Sequence, residues 1–510
     1  MASQDGPARM RVAAARRRVA LAGAVIILAA GCASAPSAAP ATTERSIAPA
    51  TAEARPSRAA TSTPALSPTA SPGLTWLYGE AGFMTSVLWV PLDYEHPDGT
   101  QIPISIGRRA ATDPAHRIGT LVYLPGGPGD QGVEALRTMA ETLFTDAVRK
   151  RFDIVAFDAR GNPVDALGPN VSCPLDGALP AIAGDPRKST DLVATTTAWS
   201  GQLANACASA SGEILPLVGT ANVIADIDRL REALGEDKLS FVGISYGTVT
   251  GVRYAERYPE HVRALILDAP VDLALDAGGF QRASVTTLQR LFDEFLAACA
   301  ADVTCAIHAD GRPREAFEAI VAARAAGPVD GISAADLWQV LRVGLGQPDQ
   351  LDEWLAAIRD GDTTEMKALL KNEPDKLGYS IAISCIDLDH PRTADGVDSR
   401  VAELRRVAPD FAWEASYALR CVRWPVATET PAAPVTATGA PPTLVIGSTD
   451  DPSTPYAWAV SVAKALESGV LLTRAGHGHG SIYADNACVD GITDAYLLNL
   501  SLPTAGATCS

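Results

Sequence analysis

Basic residues are scarce in this sequence. Its 42 Lys and Arg stand against 59 Asp and Glu, for a formal net charge of −17 over 510 residues. That balance argues against a nucleic-acid partner, since phosphate backbones are held through Lys and Arg counter-charge. Long apolar runs are also missing. The stretch 19–30 rises only about 18 Å as a helix against a hydrocarbon core of about 30 Å, too short for a permanent membrane span. No Cys-x-x-Cys pair and no His-Glu-x-x-His run occurs, so no zinc motif is present. The glycine-rich loop after the run at 119–124, Gly126-Gly127-Pro128-Gly129, is not followed by Lys and Ser or Thr, which removes a P-loop. No cofactor is expected. No Gly-X-Y or heptad period runs through the chain, and with 47% hydrophobic residues it reads as globular rather than fibrous or disordered.

What is present begins with an export signal over residues 1–31. Arg9, Arg11, Arg16, Arg17 and Arg18 precede the short apolar run, the order of a secretory signal. It ends Leu28-Ala-Ala-Gly-Cys32, a lipobox-like site at which Cys32 would be lipidated and become the mature N-terminus. Cleavage after Ala33-Ser-Ala35 is the competing reading. Removing five arginines and one aspartate leaves the exported chain four units more acidic than the precursor. Residues 32–73 collapse largely to Ala, Pro, Ser and Thr, too poor in large apolar groups to repay ordering, and read as a tether.

Setting Cys32 aside leaves eight cysteines, most simply four disulfides in an oxidising compartment. Nearest-neighbour pairing (173 with 207, 299 with 305, 385 with 421, 488 with 509) closes the shortest loops, although about 105 connectivities exist for eight cysteines.

From residue 74 the text is ordered. Residues 86–92 and 102–108, separated by the turn-rich 95–99, read as a hairpin at a sheet edge. Short apolar runs at 119–124, 152–157, 239–243, 262–267, 443–447 and 470–473, several bounded by Gly or Pro, suit strands covered on both faces. A helix is expected over 220–234, and an amphipathic segment follows position 247. Strand, helix, strand in this order makes an α/β sheet. Residues 271–430 read instead as short amphipathic helices at 288–298, 314–325, 333–345, 351–358 and 365–370, with Ser333 and Asp336 spaced as a capping box. The expected organisation is an α/β core over 74–270 and 431–510, interrupted by a helical lid over 271–430.

Gly243-Ile-Ser245-Tyr-Gly247 lies where a strand runs into a helix, the setting in which Gly-x-Ser-x-Gly lifts a nucleophilic serine above a sheet. A serine hydroxyl needs a base to take its proton, and the base needs an acid to fix its tautomer. Both should follow later strands. The candidates for the acid are Asp451, Asp450 and Asp268, with Asp451 preferred; for the base they are His479 and His477, with His479 preferred. Gly127 and Tyr246 offer backbone N–H groups for an oxyanion.

These motifs together resemble the secreted tripeptidyl aminopeptidases of actinobacteria, α/β-hydrolases related to prolyl aminopeptidases. The resemblance rests on Leu124-Pro-Gly-Gly-Pro-Gly129, Phe157-Asp-Ala-Arg-Gly161, Gly243-Ile-Ser-Tyr-Gly-Thr248, Asp451-Pro-Ser-Thr-Pro455 and Gly478-His-Gly480, and covers about residues 74–510. It implies an α/β-hydrolase fold with a mostly parallel sheet and a serine exopeptidase with Ser245, Asp451 and His479 as triad and Gly127 and Tyr246 as oxyanion hole. It further implies that lid carboxylates, here Asp387 and its neighbour Asp389, meet the substrate's amino terminus. Asn162-Pro163 departs from the family pattern and would reshape the loop beside the site. The expected partners are peptide substrates, with no nucleic acid, membrane contact only through Cys32, and a monomeric state. An esterase or lipase acting on envelope esters, and an inactive binding lipoprotein, are the rival readings.

Overall fold

A computed structural model describes residues 73–165, 167–175, 180, 182–371, 374–429, 431–484 and 486–510. The expected export signal, Cys32 and all of the expected tether but Gly73 lie outside the described residues.

One sheet organises the chain. Its strands are β1 (Leu77–Tyr78), β2 (Phe83–Pro91), β3 (Gln101–Arg109), β4 (Gly119–Leu124), β5 (Phe152–Phe157), β6 (Leu239–Ile244), β7 (Val262–Asp268), β8 (Thr443–Asp450), β9 (Gly469–His477) and β10 (Thr508–Cys509). The spatial order is β1-β2-β3-β5-β4-β6-β7-β8-β9-β10. The β1–β2, β2–β3 and β3–β5 pairs are antiparallel, and every pair from β5 across to β10 is parallel.

The parallel strands read as largely apolar runs because both faces are covered. Val122, Phe241, Leu265 and Leu267 belong to one core, whereas Leu121, Tyr123, Val242, Ala264 and Ile266 belong to another on the opposite face, the period-two alternation of a strand. A third core lies among helices between β7 and β8, chiefly Ala277–Ala301, Pro313–Ala325, Ala334–Gly344, Pro348–Arg359 and Val397–Leu404. Ser333 and Asp336 form the expected capping box. The first of these helices starts well before the apolar stripe at 288, because Asp276 caps it at Gly279 N–H while the pair Gly278-Gly279 hides the start. Helix Leu192–Ala210, which precedes β6, adds Leu192 to the same core. Its buried face also carries Trp199, Leu203 and Cys207, but Thr196 and Ser200 interrupt the stripe in the sequence.

The four disulfides join Cys173 to Cys207, Cys299 to Cys305, Cys385 to Cys421 and Cys488 to Cys509, the nearest-neighbour pairing. The last ties helix Ala487–Asn499 to closing strand β10, neither of which stands out in the sequence.

Arg160, in the run Asp158-Ala-Arg-Gly161, has a structural task. Its guanidinium is buried and forms a two-pronged pair with Asp226 at 2.6 and 2.7 Å. It also donates to the carbonyls of Leu92 and Pro91 at 2.7 and 3.0 Å. One side chain thus fastens the exit of β5 to the end of β2 and to helix Thr220–Leu234. Replacing it removes the counter-charge of a buried carboxylate. Arg160→Met is expected to cost about 3–5 kcal/mol of stability, read by urea denaturation; a loss under about 1 kcal/mol would contradict this role.

Candidate active site

Ser245 sits between β6 and helix Gly247–Arg257 with φ of 56°, a left-handed conformation that is strained for a side-chain-bearing residue. The turn is tight enough to demand its two glycines. A Cβ on Gly247 would stand 2.1 Å from the Leu124 carbonyl oxygen, and one on Gly243 would stand 2.6 Å from that of Gly247. Ser245 N–H donates to the Asp268 carbonyl at 2.9 Å, which pins the turn to the neighbouring strand.

Asp451 follows the last residue of β8 and is buried. Its carboxylate oxygens accept three donors: Ser453 N–H at 2.8 Å, Thr454 N–H at 2.9 Å and the Thr454 hydroxyl at 2.8 Å. His479 Nδ1 lies 3.0 and 2.9 Å from its two oxygens. A proton on Nδ1 donated to the carboxylate leaves Nε2 with its lone pair. Nε2 is buried and has no hydrogen-bond partner among the described residues. Burial by itself would push the imidazole below its ordinary value, but the charge and hydrogen bond of Asp451 outweigh that and hold it above.

The rival positions serve other ends. Asp450 pairs with Arg290 of helix Ala277–Ala301 at 2.9 Å, joining the helical layer to the acid's strand. Asp268 is fully buried and accepts Ser481 N–H at 2.6 Å and Ile482 N–H at 2.9 Å. His477 ends β9, is exposed, and its carbonyl accepts from Arg474. The histidine loop reaches the serine turn: a Cβ on Gly480 would lie 3.5 Å from Ile244 Cγ2 and 3.8 Å from Asp268 Oδ2.

Across from Ser245 runs the loop after β4. A Cβ on Gly126 would lie 3.0 Å from Ser245 Cβ and 3.4 Å from its Oγ, so this backbone passes directly beside the hydroxyl. The N–H groups of Gly127 and Tyr246 have no acceptor among the described residues. Asn162, at the departure from the family pattern, is buried and donates to the Gly129 carbonyl at 3.3 Å. Asp130 ends this loop, and burial pushes its carboxyl up to about 7 despite the nearby charges of Lys376 and His479.

The two acids expected to meet the substrate differ sharply. Asp387 is buried, and its carboxylate accepts Thr220 N–H at 2.9 Å, the Thr220 hydroxyl, and the Tyr246 hydroxyl at 2.6 Å. It braces the residue after Ser245. Asp389 is exposed and accepts Ala277 N–H at 3.1 Å, capping a helix. Both line a cleft under the helical layer, together with Phe280, Arg342, Glu414 and Arg420. Glu414 and Thr454 were not marked by sequence reading. Glu414 is buried, and its Oε1 has no partner among the described residues; an acid inside Phe411-Ala-Trp-Glu-Ala415 was the available signal. Cys299, Cys305 and Asp352 also cluster, but the two sulfurs are joined in a disulfide, which leaves no thiolate for a metal.

Comparisons with known proteins place the chain among α/β-hydrolases. The model of the α/β-hydrolase fold matches residues 119–310, and that of TAP-like protein matches residues 408–509. Serine protease Hip1 of Mycobacterium tuberculosis is 33% identical over 464 residues, covering 84% of this chain and 87% of the relative. The tripeptidyl aminopeptidase of Streptomyces lividans is 29% identical over 84% of this chain and 83% of its own length. Carboxylesterase B of M. tuberculosis is 29% identical over 82% and 85%. Among solved structures, a serine hydrolase from Cycloclasticus zankles shares 12% identity at a TM-score of 0.36 over 81% of this chain and 98% of that one, a likeness too low to argue from.

Crowding at Ser245 is directly testable. Gly126→Ala should push the hydroxyl out of place and slow fluorophosphonate labelling of the protein by about ten- to a hundredfold, with folding intact by circular dichroism; labelling within twofold of the parent would contradict the close approach.

Proposed function

We propose, from the premise that the chain belongs to the tripeptidyl aminopeptidase-like α/β-hydrolase serine peptidases, that it is an exported exopeptidase releasing di- or tripeptides from free amino ends through an acyl-enzyme. The observation that carries the reading is the buried Asp451–His479 pair, whose unpartnered Nε2 belongs to a loop packed against the strained Ser245 turn. In this account Nε2 takes the Ser245 proton as Oγ adds to the scissile carbonyl. The resulting oxyanion is received by Gly127 and Tyr246 N–H groups, which serve best when already in place. The imidazolium, steadied by Asp451, then gives its proton to the departing amine as the C–N bond breaks. Water repeats the sequence on the ester, with His479 again as base, and releases the peptide acid.

Selection of a free amino end is assigned to the acidic side of the cleft. Asp387 is already engaged by Thr220 and Tyr246, so within the proposal it braces the site. Asp389 and Glu414 each keep an oxygen with no hydrogen-bond partner among the described residues, and an ammonium there would form a charge-assisted bond in a partly dry setting. The similarity to a protein named carboxylesterase B supports a second reading, an esterase, because one triad cleaves both bonds.

A tripeptidyl anilide, its N-acetylated form and a fatty acyl ester separate these readings. The free peptide should be cleaved at least about tenfold faster than the acetylated one, and Ser245→Ala should lose at least about 10⁴-fold. Equal cleavage of both peptides would overturn the amino-end selection, activity on the ester alone would favour the esterase, and surviving activity in Ser245→Ala would remove the nucleophile.

Export and anchoring are part of the same proposal. Four disulfides suit an oxidising compartment, and no helix among the described residues is long and apolar enough to cross a membrane. Mass analysis of the mature N-terminus should find an acylated Cys32; a terminus after Ala35 would contradict the anchor.

A further inference from the structure

Asp268 is a second buried carboxylate at the site, and nothing in the triad accounts for it. It ends β7 beside the serine turn and is fully buried. Through its backbone carbonyl it accepts Ser245 N–H at 2.9 Å. Through Oδ2 it accepts Ser481 N–H at 2.6 Å and Ile482 N–H at 2.9 Å, the second and third residues after His479. The Cβ position of Gly480 lies 3.8 Å from the same oxygen. One residue therefore grips the nucleophile turn with its main chain and the histidine loop with its side chain. Its other oxygen, Oδ1, is buried and has no partner among the described residues.

A mechanical brace needs only an acceptor, which a neutral amide or hydroxyl would supply at less desolvation cost. A carboxylate brings charge as well, and an unpaired buried oxygen is expensive unless that charge is used. We propose, resting on the serine-hydrolase roles given above, that Asp268 is a positioning residue: it clamps the histidine loop to the serine turn, and its negative charge stabilises the imidazolium that forms when His479 takes the Ser245 proton. Asp451 sets the tautomer and orientation of the ring; Asp268 supplies a second field from the serine side. No bond to Asp268 is made or broken in the reaction, and the proton stays on His479.

The electrostatic surroundings agree. The charge of Asp268 favours protonated His479, and the charge of His479 in turn favours ionised Asp268. Burial raises the Asp268 carboxyl to about 6, against the pull of its two N–H donors and the histidine, so it carries its charge at neutral pH and above. The other charged groups facing the pair are Asp451 from the loop after β8, Arg342 from helix Ala334–Gly344, which disfavours the imidazolium, and Asp130 from the loop after β4. Tyr123 of β4 also feels Asp268, and burial keeps it neutral.

The sign of the expected effect follows. Activity needs neutral His479, so the rate falls as pH drops through the histidine's pKa, giving the acid limb of the profile. Removing the Asp268 charge makes the imidazole less basic and moves that limb to lower pH, while the plateau rate falls because the imidazolium is less stabilised.

The test compares the pH dependence of fluorophosphonate labelling at Ser245 in the parent and in Asp268→Asn, whose amide oxygen keeps the bonds to residues 481 and 482. This probe needs no peptide specificity, so it does not depend on the exopeptidase reading; failure to label the parent at Ser245 would count against the assigned serine chemistry itself. The expected result is a plateau at least about tenfold lower and an acid limb displaced downward by about half a pH unit or more. A plateau within twofold, or a lowered plateau with an unmoved limb, overturns the proposal, the latter because it leaves Asp268 a mechanical brace only. Should Asp268→Asn prove unfolded by circular dichroism, Asp268→Ser, uncharged but too short to reach residues 481 and 482, is read by the acid limb alone: a limb displaced downward supports the proposal and an unmoved one overturns it.

Discussion

A carboxylate buried inside a protein needs donors for its oxygens, and the donors around Asp451 are the constraint from which the rest of the site follows. Two backbone N–H groups and the Thr454 hydroxyl hold it. The remaining capacity is turned to His479 Nδ1. With the tautomer settled by that bond, the other ring nitrogen is left as an acceptor in a site that offers it no protein donor among the described residues.

The sheet supplies the convergence. Parallel strands β4, β6, β7, β8 and β9 end at one rim, so the glycine loop, the serine turn, Asp268, Asp451 and the histidine loop meet without any one segment being long. The helical layer between β7 and β8 roofs the adjoining cleft, and Arg290 ties it back to Asp450 and to the Thr449 carbonyl. The helical layer is therefore fastened to the strand that presents the acid.

Much of this was legible before any coordinates. Apolar runs at 119–124 and 152–157 match β4 and β5 to the residue, because a strand buried on both faces is mostly apolar and must stop at a turn. The order serine, acid, histidine after successive strands pointed to Ser245, Asp451 and His479, and the geometry pairs the last two. Choosing between Asp450 and Asp451 required knowing that β8 ends at the former, with its carboxylate aimed at Arg290. Other contacts were illegible in principle: Tyr246 and Asp387 are 141 positions apart, and the bonds from Thr220 and Tyr246 to Asp387 have no local signature. Helices Gly132–Leu143, Leu192–Ala210 and Tyr456–Ala465 were not read at all. Leu192–Ala210 buries Leu192, Trp199 and Leu203 on a face whose other members include Thr196 and Ser200, which dilutes the apolar period, and Tyr456–Ala465 is apolar around most of its circumference.

The central claim is that His479, oriented by Asp451, activates Ser245. Peptide mapping after fluorophosphonate treatment of the native protein and of His479→Ala tests it most directly. The account predicts one adduct, on Ser245, formed at least about 10³-fold more slowly without the imidazole. An adduct on another serine, or undiminished labelling of the His479→Ala protein, would contradict it.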